Sequence, residues 1–459
     1  MIDPLSVFPA QGAAVPAPSP PATAEATSAP AGGPLAKGFR VVGRVLLLAI
    51  ALFASWWILH LTSHGLGVGS DSTVYFAGAE SLAEGRGFVW LAGDGLPRPI
   101  NHYPPFYSAV LSIGLRLLPT SEDIARILEV LLMGANVLLI AALIGLLTSS
   151  RAAAILGALL FMASEETLTI HSYAMSDGLY LFLVLVCVTA STHYWRRGGT
   201  QLNRLLMWGS AGLAFLTRYV GVSLFVVPLV VTLARPPRPS SRKRETFVGF
   251  ALAALPGLLW LIRNGVLTGS MTNRRPGFFP QDLSWWQQFG RLAESWFVPG
   301  RIVHLFETAH IPPGVLLVVG LLIGVGLIVL HRGRGKRSPT QPRSWLPLAA
   351  FLAAHLGTIA LSSWFSYPGP DIDTRTLAPV FVGSLVLVAA ILGSGWARGS
   401  RRARVALALA AVAFLGFKVY ASRDVVTRLL SDGQGYTSDA WSRSATVAAL
   451  QRLNPEVVY

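Results

Sequence analysis

Uncharged apolar runs recur from residue 45 to residue 420, at 45–59, 130–148 and 179–190 among others. Short polar breaks separate them. Runs of this length without two-residue alternation predict helices, and a helix needs ~20 apolar residues to cross a bilayer. Eleven spans are predicted: 43–63, 125–148, 152–168, 178–195, 203–217, 219–234, 246–263, 312–330, 344–364, 376–395 and 403–420. The fold class is an all-α polytopic membrane protein whose external loops carry interfacial helices. Residues 105–118 are apolar but too short to cross, which predicts a helix along the outer face. Residues 264–311 carry Phe278-Phe279, Trp285-Trp286 and Trp296, aromatics suited to the headgroup level.

Three domains follow. Residues 1–39 hold eight Pro and ten Ala with only Asp3, Glu25 and Lys37 charged, so they cannot bury enough apolar surface and are expected to be a disordered cytoplasmic tail. Residues 40–420 form the transmembrane domain, and 421–459 a short external tail.

Composition sharpens this picture. Of 459 residues, 53% are hydrophobic and 13% charged, which excludes a soluble globular enzyme. The net charge of +15 suggests a nucleic-acid partner, but the basic residues cluster between apolar runs, at Arg196-Arg197, Arg242-Lys243-Arg244, Lys336-Arg337 and Arg401-Arg402. That is the pattern of cytoplasmic loops, so no nucleic acid is expected. The cytoplasmic segments hold three acids, Asp3, Glu25 and Glu245, and the other 19 of 22 fall elsewhere. Acids were not used to draw the topology, so they support it independently. The reading is a multi-pass plasma (inner) membrane protein with a cytoplasmic N-terminus and an external C-terminus. Cys187, the only cysteine, excludes an intramolecular disulfide.

Candidate chemistry lies on the acid-rich side. Asp71 opens a helical pattern in which Tyr75, Ala79 and Leu82 share a face, followed by Glu84, Arg86 and then Asn101-His102-Tyr103-Pro104-Pro105. Asp71 is either an N-cap or a carboxylate able to take a proton from a hydroxyl. Asp177 opens a span, as a cap, a sugar contact or a metal ligand. Arg218 interrupts the apolar stretch 205–231, a costly position for a charge that points to function. Arg263 ends a span, where an arginine either snorkels or meets an anion. His102 and His171 are loop histidines, each read alone as structural or solvent-facing.

The D-x-x-x-Y-x-x-x-A-x-x-L pattern at Asp71, Tyr75, Ala79 and Leu82, followed by Tyr103-Pro104-Pro105, resembles membrane glycosyltransferases of the GT-C type. It is most similar to the protein O-mannosyltransferases and lipid A aminoarabinose transferases. Three further segments match in order: His171 to Asp177, Leu216-Thr217-Arg218-Tyr219, and Asp373-Thr374-Arg375-Thr376-Leu377-Ala378-Pro379. The sequence departs from the family in carrying Ser72 after the Asp, where Glu is common, and Thr376 where Tyr is usual. The resemblance implies inverting transfer of a sugar from a polyprenyl-phosphate donor to a glycan, lipid or protein acceptor at the external face. It implies Asp71 as general base, with Tyr75, Arg86, His102, Tyr103, Asp177, Arg218, Tyr219, Arg263 and Arg375 as substrate-binding residues. The phosphate leaving group calls for no cofactor, and a divalent metal is compatible with the chemistry. The alternative is a secondary transporter or flippase for a lipid-linked or anionic substrate. Against it, charges sit mostly at helix ends and no inverted repeat is evident.

Overall fold

A computed structural model describes residues 34–91, 95–235, 241–299 and 344–453. By internal contact Met1–Arg44 is a unit of its own, of which the described part is the opening of helix α1 (Pro34–Leu61). Val45–Tyr459 is the second unit, to which everything below belongs.

Of the ten predicted spans within the described residues, eight fall largely on single α-helices, 152–168 is split between two, and 219–234 is a 3-10 segment followed by a short helix. After α1 come α2 (Ser70–Ala83), α3 (Phe106–Gly114), α4 (Ser121–Thr148), α5 (Arg151–Ala163), α6 (Glu165–His171), α7 (Asp177–Arg197) and α8 (Gln201–Thr217). A 3-10 segment (Tyr219–Phe225) leads into α9 (Val226–Ala234), then α10 (Ser241–Thr268) and α11 (Leu283–Ser295). The series ends with α12 (Leu346–Phe365), α13 (Thr374–Arg398), α14 (Arg401–Ala421), α15 (Arg423–Ser431), and two short helices, Asp439–Ser442 and Ala445–Leu453. Among the described residues, seven helices are long and apolar enough to cross a membrane, or eight if the bent pair α5–α6 is one span. At 17 residues, α8 is about 26 Å long, short of a ~30 Å hydrocarbon core. The predicted span 312–330 lies outside the described residues.

The span expected at 152–168 is not one straight helix: α5 and α6 meet at 62°. Ser164 marks the break, its hydroxyl turned back onto the Leu160 carbonyl at 2.5 Å. Glu165 and Glu166 follow at once and open α6, where carboxylates suit the helix N-terminus. The stretch between α1 and α4 is also structured. It holds α2, a ribbon of β1 (Val89–Leu91) with β2 (Pro97–Pro99), and α3.

The core gathers around α7, which packs against α4, α8, α9 and α12. Phe161, Phe351, Phe381, Ile140 and Met133 are fully buried there. A second ribbon, β3 (Arg275–Pro276) with β4 (Ser366–Tyr367), joins the segment after α10 to the end of α12.

Candidate active site

Four chain breaks converge on one cavity of about 680 Å³. Asp71 is the second residue of α2, Asp177 the first of α7 and Arg375 the second of α13, while Arg218 separates α8 from the 3-10 segment. Three helix N-termini thus meet, and their partial positive charge favours carboxylates there. Asp71 is not the N-cap that its position suggests. The cap is Gly69, whose N–H donates to the Ser72 hydroxyl at 3.0 Å, which leaves the Asp71 carboxylate free for the cavity. Asp177 does not cap either, since Ser176 holds that position and no side chain bonds the helix end. Asp373 does cap: its carboxylate accepts the Thr376 N–H at 2.7 Å and holds the turn that carries Arg375.

The charged groups form a chain. Arg218 Nη1 donates to Asp177 Oδ1 at 2.5 Å, Arg375 Nε to Asp177 Oδ2 at 3.1 Å, and Arg375 Nη2 to Asp71 Oδ2 at 3.3 Å. Tyr103 completes it by donating its hydroxyl to Asp71 Oδ1 at 2.7 Å. The Asp177 side chain is 4% exposed, whereas Asp71 is 27% exposed and borders the cavity. Asp177 therefore orients the arginines, and Asp71 meets whatever fills the space. A carboxylate offers about four lone-pair sites, so two bonds leave Asp71 able to accept more.

The neighbouring phenols stay protonated. Burial pushes Tyr75 up to about 12, and its hydroxyl pairs with Ser176 at 2.9 Å. Burial, then the bond to Asp71, drives Tyr103 far above the usual phenol range. His102 packs against Tyr103 with the rings tilted, and burial lowers its pKa against the opposing pull of Asp71, so it is neutral at pH 7. Tyr219 lines the cavity while donating to the Asn101 carbonyl at 2.5 Å.

Three predicted substrate contacts do not line the cavity: Asp177 is buried against Arg218 and Arg375, and the other two lie elsewhere. Arg86 pairs with Glu84 at 2.5 Å on the surface and does not line the cavity. Arg263 donates to the Ile100 and Phe88 carbonyls at 2.7 and 2.9 Å and stacks over Trp260. It ties the ribbon segment to α10. His171 is neither a loop residue nor solvent-facing: it ends α6, fully buried, with Nδ1 2.7 Å from Glu129.

Sequence reasoning missed Arg274, Tyr180 and His355. Arg274 lines the cavity and donates to the Pro368 carbonyl at 3.0 Å; burial lowers its pKa and Asp371 opposes that. Its signal was available, since Arg274-Arg275 is a basic pair in a segment predicted to be external. Tyr180 lines the wall, 3.3 Å from His355 Nδ1. His355 Nε2 faces the Thr376 carbonyl at 3.3 Å and must donate to it, so Nδ1 accepts from Tyr180.

The cavity lining is mixed: it includes the charged Asp71, Arg218, Arg274 and Arg375 and the apolar Val220, Val222, Leu261, Met271, Ile359 and Phe365. Among the lining residues three are arginines and one, Asp71, is a carboxylate, which favours an anionic ligand, and the volume suits one of sugar-phosphate size. Among the described residues, no three His, Cys, Asp or Glu side chains are grouped to hold a metal ion.

Residues 102–262 match the family model of dolichyl-phosphate-mannose-protein mannosyltransferase. No curated protein sequence matches the chain. Among solved structures, ArnT from Cupriavidus metallidurans bound to undecaprenyl phosphate aligns at 16% identity with a TM-score of 0.53, over 86% of this chain and 71% of that one. The apo form of ArnT aligns with a TM-score of 0.50 at 16% identity, over 82% of this chain and 63% of its own. The Archaeoglobus fulgidus oligosaccharyltransferase aligns at 15% identity with a TM-score of 0.55, over 88% of this chain and 55% of its own. The chain therefore spans less than two thirds of the length of two of these three. Over residues 102–262 the chain is similar to the dolichyl-phosphate-mannose-protein mannosyltransferase family, and over most of its length it shares the fold of these membrane glycosyltransferase structures.

Proposed function

We propose that the chain transfers a sugar from a polyprenyl-phosphate donor to an acceptor hydroxyl on a glycan, lipid or protein at the external face of the plasma membrane. The observation that carries this reading is the pairing, in one cavity, of the partly exposed Asp71 carboxylate with Arg218, Arg274 and Arg375. Asp71 accepts the acceptor's proton as its oxygen attacks the anomeric carbon. The bond from that carbon to the phosphate oxygen breaks, and the electron pair leaves on the polyprenyl phosphate. The arginines stabilise the charge that develops there, as preorganised donors do in a site shielded from water. A single displacement inverts configuration and needs one carboxylate as base. The apolar lining residues, Val220, Val222, Leu261, Met271, Ile359 and Phe365, suit the first isoprenyl units. The undecaprenyl phosphate bound in ArnT supports a lipid-phosphate ligand for this fold.

The same reading takes the full set of eleven spans, with the N-terminus cytoplasmic and the C-terminus external. Residues 1–39 are then a cytoplasmic tail, 40–420 the catalytic domain and 421–459 an external extension.

The test is Asp71→Asn in membranes of producing cells, supplied with radiolabelled polyprenyl-phosphate hexoses and pentoses. Loss of a general base lowers turnover by about 10²–10⁴-fold. Unchanged transfer with the sugar that the wild type uses would exclude Asp71 as the base.

A further inference from the structure

The C-terminal segment contributes no side chain to the cavity, yet it is bonded to both loops that lead into the carboxylate-bearing helices. After α15 the chain turns through Gly433 and Gly435, at φ 73° and 66°, and lies beside residues 66–68. Tyr436 N–H donates to the Val68 carbonyl at 2.8 Å, and the Thr437 hydroxyl to the Leu66 carbonyl at 2.6 Å. On its other side the same stretch meets the loop before α7. Gly67 N–H donates to the Ser172 carbonyl at 2.8 Å, and Ala174 N–H to the Gly67 carbonyl at 2.9 Å. Gln434, 5% exposed, reaches across and donates from Nε2 to the Ser172 carbonyl at 2.9 Å and to its hydroxyl at 2.7 Å.

The three segments are packed without slack. A Cβ on Gly435 would lie 2.3 Å from the Val68 carbonyl oxygen, and one on Gly67 would lie 2.6 Å from the Gln434 side chain. Gly435 also needs a left-handed backbone that other residues rarely adopt. Val68 stands three residues before Asp71, and Ser172 five before Asp177. Further back, the ion pair between Lys418 and Glu166 fixes α14 to α6, which leads into the same loop before α7.

We propose that residues 433–437 are a positioning strap for the active site, resting on the reading of Asp71 as the base. Gly435 and Thr437 act through residues 66–68 to set Asp71. Gln434 acts through Ser172 to set Asp177, and through it Arg218 and Arg375. Displacement of a reacting group by 1 Å costs about 10²-fold in rate, so a strap this tight governs catalysis without touching substrate.

The two halves of the strap predict different kinetics, which a general loss of stability does not. In membranes supplied with the radiolabelled donor that the wild type uses, Gly435→Ala and Thr437→Val lower kcat per folded enzyme about 10–100-fold. In purified protein they leave the Kd for undecaprenyl phosphate within about twofold, since the arginines keep their partner. Gln434→Ala weakens undecaprenyl phosphate binding about tenfold, through loss of both hydrogen bonds to Ser172 that support the arginines' carboxylate. Should Gly435→Ala not accumulate, Thr437→Val, nearly isosteric but unable to donate, carries the same kcat expectation. The inference is overturned if all three variants lose activity only in proportion to folded enzyme, or if none changes. Asp71→Asn measured alongside separates the two readings. An active Asp71→Asn sinks the base assignment while the Gln434→Ala binding defect still tests the strap, and an inactive Asp71→Asn with normal strap variants sinks the strap alone.

Discussion

Replacing Asp177 by Asn probes the charge balance of the site more directly than any change at the cavity wall. Asp177 is the anion shared by Arg218 and Arg375, at 2.5 and 3.1 Å. Its removal leaves two guanidiniums with one carboxylate, Asp71, which reaches Arg375 alone. Breaking a buried ion pair from one side costs about 3–5 kcal/mol. Here the arginine side chains are 22% and 26% exposed, so water screens part of the loss, and Asn retains one acceptor oxygen. A cost of about 2–3 kcal/mol follows. A bound phosphate would restore the missing negative charge, so undecaprenyl phosphate should stabilise Asp177→Asn more than it stabilises the wild type. The assay is thermal unfolding of the purified enzyme at a fixed scan rate, with and without saturating undecaprenyl phosphate. The expected pattern is an apparent Tm several degrees lower for the variant alone, with the gap narrowed by the lipid. An unchanged Tm without lipid, or a gap the lipid does not narrow, would refute the assignment of Asp177 as the counterion of a phosphate-binding arginine pair.

Two further outcomes follow from the structure. Lys418, 1% exposed, sits 3.0 Å from both Glu166 oxygens, so Lys418→Met or Glu166→Leu alone should each destabilise by about 3–5 kcal/mol. The double variant removes both charges and should be less destabilised than either single one; a double variant as unstable as the sum would contradict this. His102 is held below its ordinary pKa of 6.5 by burial, so the folded state binds fewer protons than the unfolded chain. Stability is then constant above about pH 6.5 and falls as the pH drops below it. His102→Gln should flatten the fall in apparent Tm between about pH 7.5 and 5.5, and an unaltered slope would assign the acid sensitivity to another group.

The helices were legible because each long apolar run admits one solution in a bilayer, a helix that satisfies its own backbone. The bend at Ser164 was not, because a run from 152 to 168 looks continuous until Glu165 and Glu166 are given somewhere to go. Glu166 finds Lys418, 252 residues away, and no local pattern announces so distant a partner. Asp71 and Asp177 were legible as candidates from their places at helix starts. That one is buried between two arginines and the other borders the cavity depends on how α2, α7 and α13 converge. The pairing of residues 433–437 with both loops lay beyond reach for the same reason, since its backbone groups, glycines, Gln434 and Thr437 meet partners more than 250 residues away.

The arginines show where a charge rule stops and a site begins. Loop topology accounts for the basic clusters assigned to the cytoplasm, but not for arginines on the acid-rich side. Several of those have local work: Arg86 meets Glu84, Arg263 holds two loop carbonyls, and Arg126 bonds Thr62 and the Leu59 carbonyl. Arg218, Arg274 and Arg375 differ in that all three reach one cavity from separate segments of the chain. Arg218 breaks an apolar stretch, Arg274 opens a two-stranded ribbon and Arg375 stands behind the capping Asp373. Helix N-termini repel cations, so Arg375 at the start of α13 needs a compensating anion, and Asp177 and Asp71 provide it. A fold that only had to be stable would place a neutral residue there. Convergence of three such positions on one space, each retained at an electrostatic cost, is the strongest reason to read that space as built for an anion.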